Sequence, residues 1–236
     1  MFPWELHGAG GIAHNGCMSA LPLIALDGPS GVGKSTTAKA VAARLGWDYL
    51  DTGAMYRSVA LAVLRAGTAL ADKAGLAALL SGLELAQGEG RFRLNGEDVS
   101  EAIRAPEVTA LVSPLSADAA VRETLVAQQR HIGGRGRFVV DGRDIGTVVF
   151  PDACCKVFLT ASVAARARRR FLELQAKGLP SVEAEVARDL AARDHADSTR
   201  VVAPLKKAEG AWELDSSGLG LDEVVDAIVA HHQAHG

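Results

Sequence analysis

Short apolar runs alternate along the chain with stretches in which apolar residues recur every three or four positions. Leu23-Ile24-Ala25-Leu26 reads as a short buried strand, and Lys34 to Leu45, with its alanines, Val41 and Leu45, as a helix. Trp47 to Leu50 predicts a second strand, ending at Asp51-Thr52-Gly53, and a helix runs on through Val63 and Leu64. Another helix is expected from Asp72 to Leu80. Strands follow at Leu83 to Leu85 and Arg91 to Leu94, with a turn at Asn95-Gly96. Two helical patterns, roughly Arg104 to Val112 and Ala117 to His131, then interrupt the strand–helix rhythm, so this middle stretch reads as an insertion. The rhythm resumes with strands at Phe138 to Asp141 and Lys156 to Leu159. A helix capped by Ser162 is expected to reach Lys177, with another from Val182 to Ala196. Trp212 to Asp215 is the last strand and Leu221 to His231 the last helix. Alternation of this kind predicts an α/β fold, a parallel sheet in three layers with helices on both faces.

Composition narrows the class. The chain has 236 residues, 48% of them hydrophobic, enough for one α/β unit with an insertion. A formal net charge of −3 argues against a general nucleic-acid or membrane-surface binder, and no apolar stretch is long enough to span a bilayer. Cys17, Cys154 and Cys155 form neither a disulfide framework nor a zinc pattern, which suits a cytoplasmic protein with reduced thiols. His231 and His235 stand at helical i, i+4 spacing, but without a carboxylate partner they do not predict a metal site. Residues 1–20 are Gly-rich and aperiodic. They read as a disordered tail rather than a secretory signal, with Met18 a candidate translation start.

The chemistry centres on Gly28-Pro29-Ser30-Gly31-Val32-Gly33-Lys34-Ser35, followed by Thr36. This fits G-x-x-x-x-G-K-[ST] between a strand and a helix, the context in which a glycine-rich loop cradles phosphates. Lys34 would reach the β- and γ-phosphates, and the Ser35 hydroxyl would ligate Mg²⁺. The Thr52 hydroxyl at a helix start, with Arg57 one turn in, makes either a second phosphate site or an ordinary capped helix with a surface arginine. Arg166, Arg168, Arg169 and Arg170 follow a strand's carboxyl end, where ligands bind in open α/β sheets; the alternative is a solvated basic face. A GTPase switch is disfavoured because N-K-x-D is missing and the only plain D-x-x-G after a strand, Asp215 to Gly218, comes late. A motor or transporter ATPase would want a larger domain. A small-molecule kinase fits better, since it must hold two polyanions together with fixed cations, and this acidic chain gathers Arg57, Arg143, Arg193, Arg200 and the Arg166–Arg170 cluster.

The motifs G-P-S-G-V-G-K-S-T, D-T-G-A-M-Y-R, L-N-G-E-D-V-S-E-A-I-R, D-G-R-D-I-G-T-V-V-F-P-D-A and R-D-H-A-D-S-T-R before V-A-P-L occur in that order from about Leu21 to the last helix. Together they resemble bacterial cytidylate kinase, a phosphate-loop nucleoside monophosphate kinase. The resemblance implies an adenylate-kinase-like core at about 21–66 and 137–236. It further implies a monophosphate-binding insertion at about 67–136 and a short lid at about 160–180. It implies transfer of a phosphoryl group from ATP to CMP or dCMP with Mg²⁺, in a cytoplasmic monomer of pyrimidine metabolism with no nucleic-acid or membrane partner. By the same resemblance, Gly28 to Thr36 would hold the ATP phosphates, and Arg57, Arg143 and Arg200 the monophosphate, beside Thr52 and Tyr56. Arg193 and Asp197 would meet the ribose, and Ser113, Arg122 and Asp144 the cytosine. Arg166, Arg169 and Arg170 would close over the transferring group, and Asp141 would orient Mg²⁺-bound water. The alternatives are another small phosphate-loop kinase, of shikimate or thymidylate type, and a nucleotide-binding protein without catalysis.

Overall fold

Five parallel strands organise the larger part of the chain in a computed structural model, which describes residues 21–88 and 90–235. The expectations for the 1–20 tail, Met18 and Cys17 lie outside the described residues. The chain divides into two compact units. Among the described residues the larger comprises 21–52 and 126–235, and the smaller 53–125.

The larger unit is built on β1 (Leu21–Asp27), β2 (Asp48–Asp51), β6 (Phe138–Gly142), β7 (Ala153–Thr160) and β8 (Trp212–Asp215), in the order β2-β6-β1-β7-β8. Every pairing is parallel, with Asp27 opposite Gly142 and Phe158, and Asp51 opposite Asp141. Burial explains the order. β6 is buried along its whole length and β1 over its last five residues, as central strands covered on both faces must be. β8 alternates half-buried and exposed positions, as an edge does. On one face, α1 (Lys34–Leu45) and α8 (Leu221–His235) bury Val41, Val224, Val225 and Ile228 against Ile24, Leu26, Val139, Val157 and Leu159. α6 (Val163–Ala176) and α7 (Glu183–Thr199) pack against each other as a helical hairpin. α6 is capped as expected, the Ser162 Oγ accepting from the Ala165 N–H at 3.2 Å.

The hydrophobic pattern gives no sign of the turn that follows β6. Residues Ile145–Val149 form a π-helical turn, closed by Val149 N–H donating to the Asp144 carbonyl (3.2 Å) and Phe150 N–H to that of Ile145 (2.7 Å). At its carboxyl end Arg130 donates to the carbonyls of Val148 (2.7 Å) and Val149 (3.1 Å).

The smaller unit holds most of α2 (Thr52–Ala66), then α3 (Lys73–Ser81), the antiparallel β3 (Leu85–Gly88), β4 (Arg91–Leu94) and β5 (Glu97–Asp98), α4 (Pro106–Ala117) and the start of α5 (Ala119–Gly133). β3 begins two residues later than the pattern suggested, pairing Leu85 with Leu94. Asn95 and Gly96, at φ of 50° and 84°, make the turn into β5. Two exposed acids carry no apolar signal, so β5 had gone unread.

Candidate active site

The phosphate loop joins β1 to α1, at the carboxyl edge of the sheet. α1 has no side-chain cap on Gly33 and no acid in its first turn, so its first N–H groups stand at the loop. Gly28 lies so close to β7 that a Cβ there would fall 2.1 Å from the Leu159 carbonyl oxygen. Lys34 is buried and its Nζ donates to the Pro29 carbonyl at 2.7 Å. Burial lowers its pKa well below the usual lysine value; Arg143 and Arg193 push the same way, while Asp141 and Asp27 oppose them.

Beside the loop, Asp141 at the end of β6 accepts from the Ser35 hydroxyl (2.8 Å) and, on its other oxygen, from the Tyr49 hydroxyl (2.8 Å). Burial, reinforced by neighbouring Asp51, raises the Asp141 carboxyl to about 6. Tyr49 had not been read as a site residue. Burial and the adjacent carboxylates push its own pKa upward, so it stays protonated and donates. A Ser35 hydroxyl that gives its proton to Asp141 keeps its lone pairs for a cation. The donor set therefore fits Mg²⁺, a hard ion that takes few protein oxygens and leans on substrate phosphates. Among the described residues, no cluster of three or more His, Cys, Asp or Glu side chains stands ready to hold a metal by itself.

Thr52 begins α2 directly after β2; its hydroxyl is buried and donates to the Asp141 carbonyl at 2.7 Å, tying β2 to β6.

The chain leaving β6 carries Arg143 and Asp144, and the end of α7 carries Arg193, Asp197 and Arg200. Arg143, Asp144, Asp197 and Arg200 are brought together in two ion pairs. Arg143 Nε donates to Asp197 at 2.8 Å, and Arg200 lies 3.5 Å from Asp144, with Arg200 Nε also on the Ala203 carbonyl at 2.6 Å. All four side chains are largely buried.

The expected lid arginines have three different settings. Arg166 is buried beneath the phosphate loop. It donates to the carbonyls of Ala161 (3.0 Å) and Ser30 (2.8 Å) and pairs with Asp194 at 2.6 Å, while Asp194 accepts from the Ser30 N–H at 2.9 Å. It is a brace for the loop, and Asp194, unread in the sequence, completes that brace. Arg169 donates to the Ser216 hydroxyl (3.3 Å) and to the Ser216 carbonyl. Arg170 is exposed and pairs with Glu173 at 2.8 Å.

In the smaller unit, Arg57 is half-buried on α2, and Ser113 stands half-buried on α4 just before Pro114. Arg122 is buried and donates to the Tyr56 hydroxyl (3.3 Å) and the Ser116 carbonyl (3.4 Å).

The chain is 51% identical over 210 residues to a cytidylate kinase of Geobacter sulfurreducens, covering 87% of this chain and 90% of that one. It is 50% identical over 229 residues to a bifunctional pantoate ligase/cytidylate kinase of Parasynechococcus marenigrum, covering 94% of this chain and 46% of that protein. The chain thus spans about half the length of the bifunctional relatives it matches. A shikimate kinase structure from Bacteroides thetaiotaomicron aligns over 91% of this chain and 98% of its own, at 14% identity and a TM-score of 0.48, which adds nothing to the topology above. The family profile described as cytidylate kinase matches residues 24–234, and the chain belongs to that family.

Proposed function

We propose that the chain transfers the γ-phosphoryl group of ATP to CMP or dCMP, giving ADP and CDP or dCDP. The observation that carries this reading is the crossed set of ion pairs, Arg143 with Asp197 and Arg200 with Asp144, on the strand end next to the phosphate loop. Two guanidinium groups suit a phosphate monoester, and two carboxylates suit hydroxyl and amino donors; a nucleoside monophosphate offers all of these. The backbone of residues 28–36 and Lys34 hold the donor phosphates. Mg²⁺, held through Ser35 with Asp141 behind it, supplies charge neutralisation on the donor phosphates when bound. Arg143 and Arg200, with Arg57, take the acceptor phosphate, and Asp197 and Arg193 the ribose. Asp144, Ser113 and Arg122 read cytosine. Arg166, Arg169 and Arg170 cover the transferring group, and the bond from Arg166 to the Ser30 carbonyl ties the first of them to the phosphate loop. Free thiols at Cys154 and Cys155 support a cytoplasmic setting, and a monomer is the simplest assembly for this activity.

Cytosine presents an amino donor at C4 where uracil presents an oxygen, so a carboxylate acceptor favours CMP over UMP. The test is ADP release from ATP with a panel of monophosphates, including CMP, dCMP, UMP, AMP and TMP, alongside shikimate. CMP-dependent ADP with kcat/KM at least tenfold above UMP is expected, and Asp144→Asn should narrow that gap. Preference for another acceptor would overturn the substrate assignment. Loss of any acceptor dependence would leave a nucleotide-binding protein.

A further inference from the structure

Asp27 is the last residue of β1, immediately before Gly28, and neither the phosphate-binding nor the acceptor-binding reading uses it. It is buried, 3% exposed, and both of its oxygens accept from successive backbone N–H groups: Ile145 at 2.8 Å and Gly146 at 2.8 Å. Those groups open the π-helical turn that directly follows Arg143 and Asp144. The strand register sets this up, because Asp27 faces Gly142, so the chain turning off β6 must pass the Asp27 carboxylate.

Burial holds this carboxyl at about 6 although the two N–H groups favour its charge. Asp144 pushes in the same direction as burial, and Lys34 opposes it. An apolar residue would avoid that penalty but would leave two buried N–H groups unpaired. One short side chain therefore spans from the root of the donor loop to the root of the acceptor turn.

We propose that Asp27 is a positioning residue that fixes Arg143 and Asp144 against the phosphate loop and so sets the spacing between donor and acceptor. This rests on the reading of Arg143 and Asp144 as acceptor contacts. A misplacement of about 1 Å costs on the order of 10²-fold in a reaction that depends on alignment. Asp27→Asn keeps one acceptor and turns an amide N–H₂ toward the other backbone N–H. Asp27→Glu keeps both acceptors but pushes the turn outward by about one bond, ~1.5 Å.

The experiment measures ATP and CMP kinetics of the full chain and both variants, with amide NMR spectra of each. In both variants kcat should fall by about tenfold to a hundredfold, with KM for ATP within about threefold of the parent. In Asp27→Asn the amide resonances of Ile145 and Gly146 should move furthest, those of α8 staying in place. Should Asp27→Asn fail to fold, Asp27→Glu carries the test alone. A variant with parent kinetics would overturn the inference. So would a rise in KM for ATP as large as that for CMP with amide shifts spread across the sheet, the mark of general loosening. A parent chain with no CMP-dependent turnover would remove the acceptor reading and this inference with it, which distinguishes the two failures.

Discussion

Two glycines of the same loop, given the same added methyl group, should respond very differently. At Gly28, φ is 153° and a Cβ would fall 2.1 Å from the Leu159 carbonyl oxygen and 3.2 Å from its carbon. At Gly33, φ is 96° and a Cβ would meet nothing within 4 Å. An alanine at 33 thus bears only the conformational penalty of a left-handed backbone, about 1–2 kcal/mol. An alanine at 28 bears that and an overlap of more than 1 Å with a main-chain atom, which no rotamer relieves. Asp27 is paired in register with Phe158 on β7, so the strands must part at their last rung. One or two backbone hydrogen bonds at about 1 kcal/mol each, added to the strain, give roughly 3–5 kcal/mol. At about 2–4 °C per kcal/mol for a chain of this size, Gly28→Ala should melt roughly 6–20 °C below the parent and Gly33→Ala about 2–8 °C below. Thermal unfolding followed by circular dichroism reads both, and ATP-analogue titration of the folded variants should show the larger loss at 28. Equal shifts for the two would refute the argument that close approach to β7, rather than backbone angle, makes Gly28 necessary.

Lys34→Ala should lose about 10²-fold or more in kcat, with the melting temperature unchanged or slightly raised, because a buried ammonium held below its usual pKa is removed. Calorimetry and initial rates test this together. Asp197→Ala should raise KM for CMP and narrow any gap between CMP and dCMP, because it removes both the proposed ribose acceptor and the carboxylate that holds Arg143 at 2.8 Å; equal proportional losses on the two substrates would make Asp197 a support for Arg143 alone. For pH, the Asp27 carboxyl is raised from 3.8 to about 6, so its contribution to stability is fully present below about 4 and lost as pH rises through about 6. The stability of the parent relative to Asp27→Asn should therefore improve by up to about 3 kcal/mol between pH 8 and pH 4, at about 1.4 kcal/mol per unit, as read by urea unfolding across that range. A difference independent of pH would show that Asp27 is ionised as readily as in the unfolded chain.

Local signals were read well from the sequence. α1 begins and ends at Lys34 and Leu45 as its periodicity and flanking glycines require, and β8 falls on Trp212–Asp215. What escaped was set by distant partners. Ile145–Val149 has no helical or strand period, and its shape depends on Asp27, more than a hundred residues earlier, and on Arg130. The arginines of α6 could be counted but not aimed: helical pitch turns Arg166 under the loop to meet Asp194, while Arg168 and Arg170 face solvent beside Glu183 and Glu173. Within the second strand Tyr49 carries no local sign of a site role, and only the register of β2 on β6 brings its hydroxyl to Asp141.

The crossed ion pairs also bear on how fast an anion is captured. Arg143 and Arg200 are two of the cations proposed to take a phosphate, and each already faces a carboxylate, at 2.8 Å and 3.5 Å. Seen from a distance of a Debye length or more, each such pair is a small neutral dipole, and its field dies away within about 10 Å. A monophosphate drifting past would not be steered toward them as it would toward two bare guanidinium groups. On the proposed assignment, a phosphate would have to displace one carboxylate on contact, and the freed carboxylate would find a hydroxyl or amino group on the same molecule. Capture by partner exchange of this kind should be slow and nearly indifferent to ionic strength. It should also be selective, because an anion lacking the sugar and base would strand Asp197 and Asp144 with no donor.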